Sequence, residues 1–384
     1  MDFSYTDEQK LLREEIIRFA QQELNKDVVK RDREQIFPHE LWLKCGEMKL
    51  PGLPVPEEYG GGGLDSLSTA MALEALGYGC HDGGLVFSIC AHLLACVIPI
   101  WKFGSEEQMR RYLPGLCNGK IIAVNAMSEP DSGSDAFAMR TRAVATPDGE
   151  GFRINGTKTF SSNGPVADLA VTFALTDPEK GYHGGVTTFL VEKETPGFRS
   201  SKKWDKMGLR TSPIGELVYE DVYVPASAVL GKAGAGSTQF THSMDWERAC
   251  LVACHVGTME RLIEKSVNHA RTRKQFGQTI GKFQAISHRM ADMKVKLEAS
   301  RWLVYKAAWE LERSKKVSMD AAIAKLFASE SLVQTALDAV QIFGGYGFMT
   351  EYEIERALRD AVASTVYSGT SEMQKNIIAR WLGL

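Results

Sequence analysis

Strong net charge is missing. Across 384 residues, 45 Lys and Arg face 48 Asp and Glu, a balance of −3. No whole-molecule field therefore draws the chain to nucleic acid. Zinc spacing is missing as well. The seven cysteines, at positions 45, 80, 90, 96, 117, 250 and 254, form no C-x-x-C pair and no Cys/His cluster. No metal site is expected, and an odd set of thiols fits a reducing, cytoplasmic setting. The opening MDFSYTDEQKLLREE carries charges ahead of any apolar run, unlike a signal peptide. Long hydrophobic runs are scarce. The most apolar, residues 84–101, is broken by Ser88, His92 and Pro99 and is marginal for a bilayer. It reads as a buried helix, so no membrane partner is expected. No G-x-G-x-x-G follows a strand, and the glycines at 60–63 lack a G-K-[ST] ending. Neither a nicotinamide-binding Rossmann fold nor a P-loop is expected. With 44% apolar and 24% charged residues, the composition is that of an ordinary folded enzyme-sized chain.

Three zones follow one another. Residues 1–121 carry helical periodicity: Thr6 and Gln9 form a capping box ahead of Leu11, Leu12, Ile16, Ile17 and Phe19, and Pro38 opens a second stretch. Residues 122–237 read as antiparallel β structure. RAVATPDGEGFRI alternates on either side of a Pro147-Asp148-Gly149 turn, and the runs LAVTFAL, VTTFLVE and ELVYEDVYVP follow. Residues 238–384 return to helix, through stretches at about 241–271, 284–313, 319–343 and 351–365. Consecutive helical, β and helical blocks predict an α+β protein with three domains, 1–121, 122–237 and 238–384, the last a four-helix bundle.

Four segments carry chemistry. AMSEPDSGSD, residues 126–135, is dense in hydroxyls and turn formers, able to aim N–H and O–H groups at a ring or phosphate. RTRKQFG, residues 271–277, sets Arg273 at a helix end, where a guanidinium can clamp a pyrophosphate. QIFGGYG, residues 341–347, is followed by Glu351, Arg356 and Asp360, and its glycines admit close approach. YSGTSE, residues 367–372, is a small polar turn before a last helix.

Together and in this order, these segments resemble the acyl-CoA dehydrogenase family over the whole chain. KMGLRTS at 206–212 and DVYVP at 221–225 resemble its middle segment. The resemblance implies FAD held between the β and helical domains. It places Asn125, Met127 and Ser128 along the flavin ring, with Ser134 in the same loop near ring and thioester. Phe160 and Ser162 stand where the family more often has Trp and Thr. Arg273, Gln275, Phe276, Ile280 and Gln284 resemble adenine and pyrophosphate contacts that reach the FAD of a neighbouring subunit, as do Gln341 and Gly345. Thr370 and Glu372 resemble the remaining ADP-side contacts. A homotetramer, or at least a dimer, is implied.

One position departs from the pattern. Many members carry Glu in Y-E-G-T and use it to remove the substrate α-proton. Here the residue is Ser368, which has no basicity of its own at neutral pH. Either turnover is lost or the base lies elsewhere. Glu247, in Asp245-Trp246-Glu247-Arg248, falls where a minority of the family, including isovaleryl-CoA dehydrogenases, carries its base. Ser368 would then keep a carbonyl-orienting role through its N–H. The segments CHDGGLVF at 80–87, WERAC at 246–250 and YSGTSEMQ at 367–374 further resemble prolyl-carrier-protein dehydrogenases of natural-product pathways. They imply oxidation of an L-prolyl thioester, tethered through phosphopantetheine, to a pyrroline or pyrrole thioester. Alternatives are a short branched acyl-CoA or another acyl-carrier-protein thioester, and a flavin-binding protein without turnover. Electrons would leave to oxygen or an electron-transfer flavoprotein. An acidic carrier would need a basic landing patch, with Arg199, Lys202, Lys203 and Lys206, or Lys102, Arg110 and Arg111, as candidates.

Overall fold

The structure, a computed structural model, describes residues 5–313 and 317–384. The N-terminal part is helical. Thr6 and Gln9 form the expected reciprocal cap on helix Asp7–Phe19. Asp65 caps helix Ser66–Gly79. Asp82 caps helix Gly83–His92, which runs through a π-helical turn, Leu93–Val97, into Ile98–Phe103. This is the apolar stretch of membrane-like length, and 83% of its most apolar window is buried within the fold. It is a core helix, as its interruptions imply.

The middle part is a seven-stranded sheet of β1 (Ala123–Ala126), β2 (Arg142–Ala145), β3 (Gly151–Ser162), β4 (Leu169–Leu175), β5 (Val186–Glu192), β6 (Phe198–Ser200) and β7 (Ile214–Pro225). The β2–β3, β3–β7, β4–β5 and β6–β7 pairs are antiparallel, but β1 runs parallel to β4, which β2 meets in parallel at a single pair. The sheet is therefore mixed rather than wholly antiparallel. The exception has a simple cause: β1 enters straight from the helical part and pairs with a strand reached only after an intervening hairpin, so no tight turn fixes its direction. β4 explains why its sequence is apolar throughout. Leu169, Val171 and Phe173 enter the helical core, and Ala170 and Ala174 enter the sheet's own core.

The C-terminal part consists of helix Gly236–Trp246, a π-helical turn Glu247–Leu251, and helices Ala253–Thr272, Gln284–Glu310, Val317–Phe343, Ile354–Val362 and Ser371–Trp381. Helices Ser66–Gly79 and Ala253–Thr272 meet backbone to backbone at two glycines. A Cβ on Gly77 would lie 2.1 Å from the Cys254 carbonyl oxygen, and one on Gly257 2.0 Å from that of Glu74. Any side chain there would push the two apart. Arg301 locks the same seam by bridging Glu74 and Glu260 at 3.0 Å each. The first and last parts of the chain therefore share one apolar core, and the π-helical turn bearing Glu247 is set inside it.

Candidate active site

Glu247 opens its π-helical turn with a side chain that is only 8% exposed. Burial pushes its carboxyl above the ordinary Glu value, while the Ser368 hydroxyl, Arg248 and Lys325 pull it back; the net direction is up. Ser368 Oγ donates directly to Glu247 Oε1. Ser368 and Gly369 both adopt left-handed backbone, with φ of 56° and 86°, and four hydrogen bonds from three side chains pin that turn. Arg248 Nε reaches the Ser368 carbonyl at 3.1 Å, Lys325 Nζ the Gly369 carbonyl at 2.7 Å, and Gln374 Nε2 both carbonyls at 3.1 and 2.8 Å. Thr370 caps the final helix by accepting from Met373 N at 3.3 Å.

Aromatic groups surround this pair. Trp246 is buried and edge-on to Trp101 at 6.4 Å. Tyr367 packs on Phe87 at 4.7 Å and bonds His255 Nε2 through its hydroxyl at 2.7 Å. Burial lowers His255 to about 3, so its ring is neutral and can accept from Tyr367. Behind Tyr367 a cavity of about 60 Å³ runs from Phe87, Cys254 and His255 to His81 and Glu353.

A second cluster forms where β1 and β3 end. Lys158, fully buried, donates to Glu129 Oε1 at 2.8 Å and to the Met127 carbonyl at 3.0 Å. Thr159 N bonds the Ser128 carbonyl at 2.8 Å. Met127 and Ser128 are thus tied to Lys158 and Thr159, just ahead of Phe160 and Ser162 on the same strand. A bulge in β3 gives Phe160 a φ of 51° and leaves its ring 65% exposed, edge-on to Trp204. Buried Ser161 Oγ and Asn163 Oδ1 have no partner. Asn125 spends its amide on the Ala95 carbonyl at 3.1 Å. Ser134 stands exposed in the loop that follows.

A third cluster faces outward. Lys274–Gln275 and Gln278–Thr279 form a small hairpin whose tip, Phe276, is 93% exposed. Ile280 N closes back on the Arg273 carbonyl at 2.9 Å, and Phe276 lies 6.1 Å from Phe283, which precedes Gln284. Arg273 covers the Tyr346 ring at 5.4 Å, and His269 stacks on Phe343 at 4.2 Å. These contacts set the start of the hairpin beside Tyr346 and the helix before it beside Phe343, in the segment that holds Gln341 and Gly345. Gln341 follows Lys325 by sixteen residues on one helix, about 24 Å along its axis. A single chain therefore keeps this cluster away from Ser368, and Thr370 and Glu372 stay with the Ser368 turn.

The expected basic patches are largely spent. Arg199 is bound to Glu220, Arg111 to Glu192 and Arg110 to Glu106. Lys206 and Lys203 donate to backbone carbonyls, and Lys102 lies over Trp101. Lys158, Lys325 and His255 have no role legible in the sequence and acquire one only where the fold buries them. A charged residue inside an apolar helix, as in AAIAKLFAS, is the one signal that was available for Lys325.

Models of the N-terminal, middle and C-terminal domains of acyl-CoA dehydrogenase match residues 6–120, 125–222 and 234–383. The chain belongs to the acyl-CoA dehydrogenase family. An L-prolyl-[peptidyl-carrier protein] dehydrogenase of Pseudomonas fluorescens is 44% identical over the full length of both chains. The solved prolyl acyl carrier protein oxidase AnaB superposes with a TM-score of 0.97, 47% identity, and coverage of 99% of this chain and 100% of its own. PigA, solved with FAD and proline, gives a TM-score of 0.96 at 42% identity over both full chains. Among acyl-CoA dehydrogenases this chain thus keeps the fold, and its buried carboxylate sits on the helix while a serine holds the loop position.

Proposed function

We propose that this chain is an FAD-dependent dehydrogenase of an L-prolyl thioester carried by a peptidyl carrier protein. The carrying observation is Glu247: a buried carboxylate, met by Ser368, in a chain similar over its whole length to prolyl-carrier-protein enzymes. The second cluster fits a flavin, because Phe160 and Ser162 present a ring and a hydroxyl beside Met127 and Ser128, with unpartnered Ser161 Oγ and Asn163 Oδ1 in the same stretch. Bound FAD supplies the acceptor for the hydride from the β-carbon.

The chain's own groups do the rest. The Glu247 carboxylate takes the proline α-proton, and burial raises its basicity toward that task. The Ser368 N–H has no hydrogen-bond partner among the described residues, which suits it to the thioester carbonyl. Phe87, Tyr367 and Trp246 wall the base with rings, an arrangement suited to a compact five-membered substrate rather than a long chain. Asn125 and Ser134 complete the ring side. Arg273, Gln275, Phe276, Ile280, Gln284, Gln341 and Gly345 serve the FAD of a neighbouring subunit in a homotetramer, a reading supported by their separation from Ser368 within one chain. Thr370 and Glu372 serve its ADP side. The seven free, buried cysteines fit a reducing cytoplasm.

Anaerobic flavin bleaching tests this. L-prolyl carrier protein should bleach the holoenzyme, and isovaleryl-CoA and butyryl-CoA should not. Bleaching by an acyl-CoA alone would favour the short-chain reading. Bleaching by none would leave a flavin-binding protein without turnover.

A further inference from the structure

We propose that the Ser368 hydroxyl is a positioning residue for the base, donating to Glu247 so that the buried carboxylate stays ionised and aimed while the nearby cations are kept off it. The proposal rests on the reading of Glu247 as the base.

A buried base faces two opposed demands. Without any partner it takes up a proton before substrate arrives. Gripped by a cation, its affinity for a proton falls by one to three pKa units, and it becomes a weak base. Glu247 avoids both. No ion pair among the described residues includes Glu247, Arg248 or Lys325, although both cations are close enough to act on the carboxyl through space. Each instead spends a hydrogen bond on the neighbouring turn, Arg248 Nε on the Ser368 carbonyl and Lys325 Nζ on the Gly369 carbonyl. The turn that intercepts the two cations is the turn that delivers the hydroxyl.

The other groups facing Glu247 do not compete. From helix Gly83–His92 comes Cys90, from the π-helical turn Leu93–Val97 that continues it comes Cys96, and from the loop comes Tyr367. Each is pushed up, Cys96 and Tyr367 chiefly by burial and Cys90 by its contact with Cys254 and then burial, so all three are neutral. Ser368 is therefore the direct donor to the carboxylate, and its left-handed backbone is held by Arg248, Lys325 and Gln374 rather than by sequence preference. Four hydrogen bonds spent on one two-residue turn are explained if that turn must place a hydroxyl accurately.

The test compares holoenzyme with Ser368→Ala, Ser368→Gly and Glu247→Gln, each verified by its bound-flavin spectrum. Flavin reduction by L-prolyl carrier protein is followed across pH. Loss of one hydrogen bond should move the acid limb up by about one pH unit in both Ser368 variants. Below that limb each should run roughly tenfold slower relative to its own plateau. Infrared difference spectra supply a readout without turnover: a protonated-carboxyl band, absent from Glu247→Gln, should titrate at the same raised pH. If both limbs coincide with the parent's while Glu247→Gln is dead, the base reading stands and this proposal falls. A shift in Ser368→Ala but not in Ser368→Gly would assign the effect to the backbone and overturn it too. Parent-like reduction by Glu247→Gln would remove the base reading itself, and the proposal with it.

Discussion

Replacing Lys158 with Met probes how the flavin side of the site is built. Lys158 is fully buried and Glu129 is 5% exposed. Burial draws the amine down to about 8, so it remains charged at neutral pH. Glu129 is opposed by its own burial, but the Lys158 charge and hydrogen bonds, including those from Arg140 N and Thr141 N, hold it below the ordinary Glu value. Removing one partner of a buried ion pair costs about 3–5 kcal/mol, because the other charge is stranded. Two backbone donors remain on Glu129, which places the expected loss at the lower end, about 3 kcal/mol. Lys158 also bonds the Met127 carbonyl, so the variant should retain less FAD. Urea unfolding with parallel measurement of flavin release reads both effects. The double variant Lys158→Met with Glu129→Gln leaves no stranded charge and should recover about half of the loss. A Lys158→Met protein within about 1 kcal/mol of the parent, holding full FAD, would refute the idea that this pair organises residues 127–128.

Glu247→Gln keeps shape but takes up no proton, and stopped-flow flavin reduction should slow roughly 10³-fold with the flavin spectrum intact; a loss under tenfold would move the base elsewhere. Phe276→Ala removes the exposed hairpin tip, and gel filtration should show smaller species together with lower FAD occupancy; an intact assembly would place that tip outside the subunit contact. His255 is lowered from 6.5 to about 3 by burial. Its neutral form is favoured in the folded state, so the stability it supports is complete above pH 6.5 and is lost as pH falls from 6.5 toward 3. The loss is about 1.4 kcal/mol per pH unit. His255→Gln, which can still accept from Tyr367, should flatten the fall in urea midpoint between pH 6.5 and 4.5; parallel curves for the two proteins would show that His255 does not govern it.

Much of this was legible because short-range rules decide it. The Thr6–Gln9 cap, the hairpin around Gly149 and the apolar run of β4 follow from local chemistry, and each is present. The parallel β1–β4 pairing was not legible, since it depends on a strand forty-odd residues away and no turn residue encodes it. Glu247 could be marked because a missing carboxylate at 368 raised the question of where the base had gone. The partnership of Ser368 with it could not, because the two lie 121 positions apart. Nor could the neutralised patches: Arg199, Arg111 and Lys206 look free in sequence and are spoken for once strands and loops bring Glu192, Glu220 and two carbonyls to them.

The position of the carboxylate has a structural consequence. A base on the 367–372 loop would depend on a turn held in left-handed backbone, where a longer acidic side chain has several rotamers. On the helix, Glu247 begins a π-helical turn, whose wider hydrogen-bond ring shifts the face that follows it. A second π-helical turn, Leu93–Val97, packs against it from the buried apolar helix. Two such insertions, each rare in isolation, stand side by side at the carboxylate. Straightening either one changes the number of residues per turn and rotates what lies beyond it, which would disturb the packing of one turn on the other. With Glu247 as the proposed base, the loop is relieved of that role, and its remaining work is to offer a short side chain and the Ser368 N–H. That is why a serine at 368 fits where a carboxylate would put a second buried negative charge beside Glu247.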